Sequence, residues 1–198
     1  TLGLSRDPVT AAQDIMHGKS FHMDIGQLGK RYFAYVAAFG LFTGVSYQTP
    51  QEDKQVLGRL AYFLHGVKAL GEVKPIHARV EFENQALELD VLDGLVCSTT
   101  SVGGVLALDS LGISLNDGQS ELLLVRDIKN LIDFNNVSTA LLKSDFRENE
   151  NIVSKKVRRV HFTFDTPVDW SLDGEYGGTV TDVEIVNHQR AVNIIVPR

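Results

Sequence analysis

The sequence predicts a mainly β domain, a β-sandwich with helices packed against an edge or a face. Three observations predict it. Short apolar runs alternate with polar residues along most of the chain, the two-residue period of half-buried strands. Only a few stretches switch to helical spacing. No internal repeat or low-complexity segment imposes another organisation. Many short strands with few helices favour packed sheets over alternating strand–helix units.

The elements follow in order. Asp7 is the N-cap and Pro8 the first residue of a short helix, in which Val9, Ala12, Ile15 and Met16 keep helical spacing and Gly18 ends the run. A lone amphipathic helix needs a surface to lie on. Residues 1–18 are expected to be the last helix of a preceding domain, with a helix that packs on its own domain as the alternative, and residues 19–198 the β domain. Phe21, Met23 and Ile25 alternate with His22, Asp24 and Gly26 as one strand; residues 28–31 turn; residues 32–38 form its hairpin partner. Gly40 and Gly44 mark a bend or a close backbone approach. After Pro50, Val56, Leu60, Phe63, Leu64, Val67 and Leu70 share one face of the clearest helix, closed by Gly71. Strands are predicted at 76–82, 87–91, 95–98 and 121–126. A helix over 128–143 carries Leu131, Phe134, Val137, Leu141 and Leu142, and residues 146–151 form a loop. Strands from Val157 to Phe164, at 179–186 and at 191–196 complete the set.

Composition excludes several functions. The 198 residues, 21.8 kDa, fit one domain with an appended piece. Nineteen Lys and Arg against 25 Asp and Glu give a net charge of −6 and a pI near 5.5, which argues against a nucleic-acid partner. A single cysteine, Cys97, allows neither an intrachain disulfide nor a multi-thiolate zinc site, and points to a reducing cytoplasm. No apolar run approaches the roughly 20 residues of a membrane span, and no signal-peptide pattern opens the sequence. The histidines lack paired ligand spacing, and neither a phosphate-binding glycine loop nor a Gly-X-Ser-X-Gly elbow occurs.

Three acidic sites carry candidate chemistry. In Leu172-Asp173-Gly174-Glu175-Tyr176-Gly177-Gly178 an extended backbone would send Asp173 and Glu175 to one face, close enough to couple their titrations and raise one toward the range of a general base. The same residues also suit an acidic β-turn. Asp117, in Asn116-Asp117-Gly118, could hold a hard cation with backbone carbonyls, or simply turn a hairpin. Asp24 interrupts an otherwise core-facing strand. The cluster Lys155-Lys156-Val157-Arg158-Arg159 could touch phosphate or anionic lipid, though such clusters are commonly the solvated end of a strand.

In this order the motifs Met23-Asp24-Ile25-Gly26, Arg31-Tyr32-Phe33, Ala37-Ala38-Phe39-Gly40, Gly58 to Gly66 with Lys68-Ala69-Leu70, Asn116-Asp117-Gly118 and Asp173 to Gly178 resemble the C-terminal domain of soluble, Gram-positive-type bacterial diacylglycerol kinases, across nearly the whole chain. The resemblance implies a two-domain lipid kinase whose N-terminal nucleotide-binding domain lies outside this sequence. It implies ATP as co-substrate through that domain, Mg2+, and diacylglycerol or a related lipid alcohol as acceptor, giving phosphatidic acid. Glu175 would be the general base. Asp173 would orient it or help hold catalytic magnesium, and Asp24 would belong to an inter-domain polar network. Asp117 would ligate a structural Mg2+, with main-chain oxygens from Ser114 and Gln119. The resemblance further implies a cytoplasmic protein in peripheral contact with the inner face of the membrane, a homodimer, and an isolated fragment without activity. His65 stands where close relatives carry a Lys that pairs with the Asp24 equivalent, and the 98–112 segment also departs from the usual pattern. Competing readings are a non-catalytic lipid-binding or dimerisation sandwich, and a carbohydrate-active enzyme using Asp173 and Glu175. Two residues apart on one strand is a poor geometry for carboxylates that must flank a glycosidic bond.

Overall fold

Several strands that the sequence predicts as short segments are continuous and bent. The structure is a computed structural model that describes residues 2–3, 5, 7–40, 74–99, 101–102, 106–108, 112–143, 145–146 and 149–197. The described elements are α1 (Pro8–Met16), β1 (Lys19–Leu28), β2 (Arg31–Phe33), β3 (Val36–Gly40), β4 (Ile76–Phe82), β5 (Gln85–Cys97), β6 (Ser101–Val102), β7 (Leu106–Ala107), β8 (Ser120–Arg126), α2 (Leu131–Lys143), β9 (Ile152–Val157), β10 (Arg159–Leu172) and β11 (Glu175–Val196). The helix expected after Pro50, with His65 and Gly44, lies outside the described residues.

Two bent strands close the sheet on itself. β10 pairs with β4 through its first half, from Val160 opposite Phe82 to Phe164 opposite Ala78. Its last residues pair with β3 instead, Trp170 opposite Phe39 and Leu172 opposite Ala37. β5 makes the same exchange, lying along β4 up to Val91 and along β3 from Asp93 to Cys97. The circuit β10–β4–β5–β3 therefore closes, a sandwich whose two layers share their longest strands and so form a barrel. Register breaks between Thr163 and Val168 in β10, and between Val91 and Asp93 in β5, allow the bends. β11, β1 and β2 extend the sheet from β10, while β8 and β9 extend it from β5. Gly40 (φ 96°) is the predicted close approach: a Cβ there would lie 2.4 Å from the Leu92 carbonyl oxygen.

The barrel is filled by aromatic rings. Phe39 lies 4.7 Å from Trp170 and 5.1 Å from Phe164 between centroids, in tilted and edge-on arrangements that suit ring quadrupoles. A second core forms where Phe134, Val137, Ala140 and Leu141 of α2 cover Leu92, Leu95, Leu123 and Val125. This explains the unbroken apolar run of β8: Leu122 and Leu124 face the barrel, Leu123 and Val125 face α2. Asn130 caps α2, its Oδ1 accepting the Ile132 and Asp133 N–H groups at 2.9 Å, so that helix starts three residues later than predicted. Cys97 is fully buried in this second core, and burial pushes its thiol up, away from nucleophilic chemistry.

Two predicted details change near the N-terminus. From Asp24 onward the inward residues of β1 are Asp24, Gly26 and Leu28, not the Phe21–Met23–Ile25 face. The pairing with β11 slips between Met23 and Ile25, where three residues of β11 oppose Asp24 alone. The predicted 32–38 strand is split, because β2 stays with β1 while β3 crosses to β5 and β10. α1 has the predicted cap, Asp7 Oδ2 accepting the Thr10 N–H at 2.8 Å, but none of its residues is buried.

The outer face of the β5–β4–β10–β11 layer carries two histidines between carboxylates. His77 Nδ1 lies 2.8 Å from Asp90 Oδ1, and His161 Nε2 lies 3.1 Å from Asp182 Oδ2. Hydrogen bonding to Asp90, then Glu88, raises His77 above its ordinary 6.5; Asp182 does the same for His161, helped by Glu81. A histidine raised on folding stabilises fully below its unfolded pKa and loses that contribution as pH rises through the folded value. Imidazole titrations by NMR are expected to show both midpoints above 6.5. The melting-temperature gap between the wild type and His161→Gln is expected to be wider at about pH 6 than at about pH 9.

Candidate active site

Asp173 and Gly174 form the two-residue turn between β10 and β11, with Leu172 opposite Glu175. Both turn residues have positive φ, 52° and 92°, the left-handed pair that Asp-Gly hairpins adopt. The turn removes the expected same-face pairing of Asp173 with Glu175, which required an extended backbone. Asp173 folds back instead. Its Oδ2 accepts the Ala34 N–H at 2.7 Å, and its Oδ1 accepts the N–H groups of Tyr35 and Val36, each at 2.9 Å. Its own N–H donates to the Val36 carbonyl at 2.8 Å. These bonds take the Ala34 and Tyr35 amides out of the ladder, and so split the predicted strand into β2 and β3. Asp173→Ala is expected to lower stability by about 2 kcal/mol, from charge-assisted bonds discounted for exposure plus left-handed strain. Asp173→Asn should recover part of that, and chemical denaturation of both variants checks it.

Glu175 lies just past the turn, exposed, and among the described residues its carboxylate has no hydrogen-bond or ion-pair partner. The backbone around it is fixed. The Arg31 guanidinium donates to the Tyr176 carbonyl at 2.5 Å. Gly177 is the extra residue of a bulge between the Trp170–Gly178 and Ser171–Tyr176 pairs, lying against the Trp170 backbone, where a Cβ would come 3.0 Å from the carbonyl oxygen. Gly178 (φ 113°) faces open space. A free carboxylate on a rigid hairpin can accept a proton from a group brought to it.

Asp24 is wholly buried and holds the second acidic turn in place. Its Oδ2 accepts the Gly118 N–H at 2.6 Å, its Oδ1 accepts the Arg190 N–H at 2.7 Å, and its own N–H donates to the Leu115 carbonyl at 2.8 Å. The contact with Arg190 exists because the β11 bulge turns that residue to φ 53°. Gln189 lies over Gly118 and donates to the Asn116 carbonyl at 3.3 Å. Asp117 Oδ1 accepts the Gln119 N–H at 3.1 Å, and Ser114 Oγ donates to Asn116 Oδ1 at 3.2 Å.

Polar residues that sequence reasoning passed over join the two turns. Asn187 donates to Ser120 Oγ at 3.0 Å, Ser120 and Ser98 hydroxyls meet at 3.2 Å, and the Ser98 N–H donates to the Tyr35 carbonyl at 2.9 Å, beside the Asp173 cradle. Glu121 is also buried, and burial pushes it up to about 7, with the Asp117 charge adding to the rise and Lys156 opposing it. Lys156 makes an ion pair to Asp117, at 3.3 Å. The rest of the basic cluster is exposed. Arg159 pairs with Glu184 at 3.1 Å, and Arg158, His161 and Asn187 line a cleft of about 390 Å³ with Glu81 and Glu83. No group of three potential side-chain metal ligands occurs among the described residues, and none of the described helices is long and apolar enough to cross a membrane.

No family model matches the chain. Curated relatives do. A diacylglycerol kinase of Bacillus subtilis is 34% identical over 200 residues, covering 100% of this chain and 64% of its own length. A diacylglycerol kinase of Staphylococcus haemolyticus is 28% identical over 197 residues, covering 100% of this chain and 59% of its own length. The chain thus spans about three-fifths of the relatives it matches. A solved structure of a diacylglycerol kinase from Bacillus anthracis, 19% identical, superposes with a TM-score of 0.74 over 98% of this chain and 63% of that one, which shows the shared fold. Over its full length the chain is similar to proteins named diacylglycerol kinase, and it corresponds to the C-terminal part of a diacylglycerol kinase-type protein.

Proposed function

We propose that the chain is the lipid-facing part of an ATP-dependent kinase that phosphorylates diacylglycerol, or a related lipid alcohol, with Glu175 as general base. The observation that carries this reading is the free carboxylate of Glu175 on a rigid hairpin, in a chain whose relatives bear the name diacylglycerol kinase. Glu175 takes the hydroxyl proton of the lipid as that oxygen attacks the γ-phosphorus of ATP. The bond from the γ-phosphorus to the β–γ bridging oxygen breaks, ADP leaves, and phosphatidic acid forms. Magnesium bound with the nucleotide would supply charge neutralisation. Phosphoryl transfer otherwise asks mainly for positioning.

Asp173 and Asp24 are positioning residues in this scheme, since backbone amides already occupy both oxygens of each carboxylate. The nucleotide is held by another part of the intact protein, and residues 1–198 alone are inactive. Val9, Ile15 and Met16 of α1, all at least 50% exposed, pack against that part. Lys155 and Arg158 supply peripheral contact with the inner face of the membrane, and a second copy of the protein completes a homodimer. Transfer of labelled phosphate from ATP to diacylglycerol by the intact protein, with Glu175→Gln beside it, tests the reading. Labelling of another lipid alone would exclude diacylglycerol and leave a related lipid alcohol as the acceptor, and labelling of no lipid would overturn the kinase reading and leave a lipid-binding module.

A further inference from the structure

A magnesium ion at Asp117, which the resemblance implies, does not fit this geometry while Lys156 keeps its place. Asp117 Oδ1 already accepts the Gln119 N–H, and Oδ2 faces Lys156 Nζ at 3.3 Å. The same Nζ donates to the Gly112 carbonyl at 2.9 Å and lies 3.6 Å from Glu121 Oε1. Two carboxylates and a backbone carbonyl around one ammonium form the all-oxygen set that a hard cation takes. A divalent ion on those oxygens would meet Nζ at close range, with like charges repelling.

Glu121 supplies an independent observation. Its side chain is 2% exposed, and among the described residues neither of its oxygens accepts a hydrogen bond, so a buried carboxylate points into this cluster with the Lys156 ammonium to balance it. The sheet delivers that cation, because Lys156 on β9 lies directly opposite Glu121 on β8. The ammonium therefore comes from a fixed cross-strand position and reaches over the edge of the sheet to the 112–119 loop.

We infer that Lys156 is a built-in counter-ion whose ammonium takes the position of a structural divalent cation, so that the 112–119 loop of this protein is held without a metal. The inference does not depend on the kinase reading, since its readout is stability and metal binding rather than phosphate transfer. Melting of the intact protein in EDTA and in millimolar MgCl2, without nucleotide, tests it. The wild type is expected to show no magnesium stabilisation that Asp117→Asn removes. Lys156→Met is expected to melt lower in EDTA by about 5 °C or more and to regain part of that with magnesium, while Lys156→Met with Asp117→Asn regains none. Electron paramagnetic resonance of Mn2+ on the wild type gives a second readout that does not need the variant to fold, and no Mn2+ sensitive to Asp117→Asn is expected. An Asp117-dependent magnesium or Mn2+ response in the wild type overturns the inference. So does wild-type melting of Lys156→Met in EDTA. A loss that magnesium cannot restore overturns the claim that the ammonium sits in a divalent-cation position.

Discussion

Glu175→Gln is expected to lower phosphate transfer from ATP to diacylglycerol by about 10²- to 10⁴-fold, the usual range for removing a general base. The substitution is nearly isosteric, and among the described residues the carboxylate it replaces has no partner whose loss would disturb the fold. Melting temperature should therefore stay close to that of the wild type. The loss should appear in kcat at saturating lipid and ATP, because the proton moves only as the hydroxyl attacks. Glu175→Asp keeps the carboxylate but shortens its reach, and should fall between the two. A Glu175→Gln enzyme with full kcat would remove the base assignment while leaving the family and the fold untouched.

Asp24→Ala is expected to cost about 3–5 kcal/mol, because it leaves the buried Gly118 amide and the part-buried Arg190 amide without acceptors and opens a cavity under the 115–118 turn. That is a large share of the roughly 5–15 kcal/mol by which domains are stable. Urea denaturation of the intact protein measures it. Limited proteolysis in the 112–119 loop should speed up in parallel, since Asp24 clamps that loop through its backbone N–H as well as its carboxylate. Asp24→Asn keeps one acceptor and turns an NH2 group toward an N–H donor, so it should recover only part of the loss. An Asp24→Ala protein as stable as the wild type would show that the loop is held by other contacts.

Much of the fold is legible in the sequence, and its failures have physical causes. β4 falls where alternation predicts it, at Ile76–Phe82, because one face meets the barrel and the other meets solvent. β5 and β11 are longer than predicted because bulges interrupt the pairing without ending the strand; Asp93-Gly94 and Gly177-Gly178 look like breaks and are bends. The two acidic turns were visible as Asp-Gly pairs. Their partners were not, because Asp173 binds amides 137 to 139 residues away and Asp24 binds one 166 residues away, and no local pattern encodes such distances. Glu121 was hidden as the first residue of an apolar strand. Only the adjacent apolar run, buried on both faces, hinted that a charge there would need a counter-ion.

The edge of β1 that pairs with β11 stays open until β11 has been synthesised. β1 lies beside the end of β11, Lys19 opposite Val196, and Ser20 Oγ donates to Asn193 across 173 residues of chain. At roughly 5–20 residues per second a ribosome takes on the order of ten seconds or more to make that interval. During that time β1 has β2 on one side and nothing of β11 on the other, an open strand edge of the kind that recruits other chains. Completion of the sheet thus waits until β11 has been made. Truncations within β11 should therefore favour aggregation of the nascent chain over a smaller folded domain.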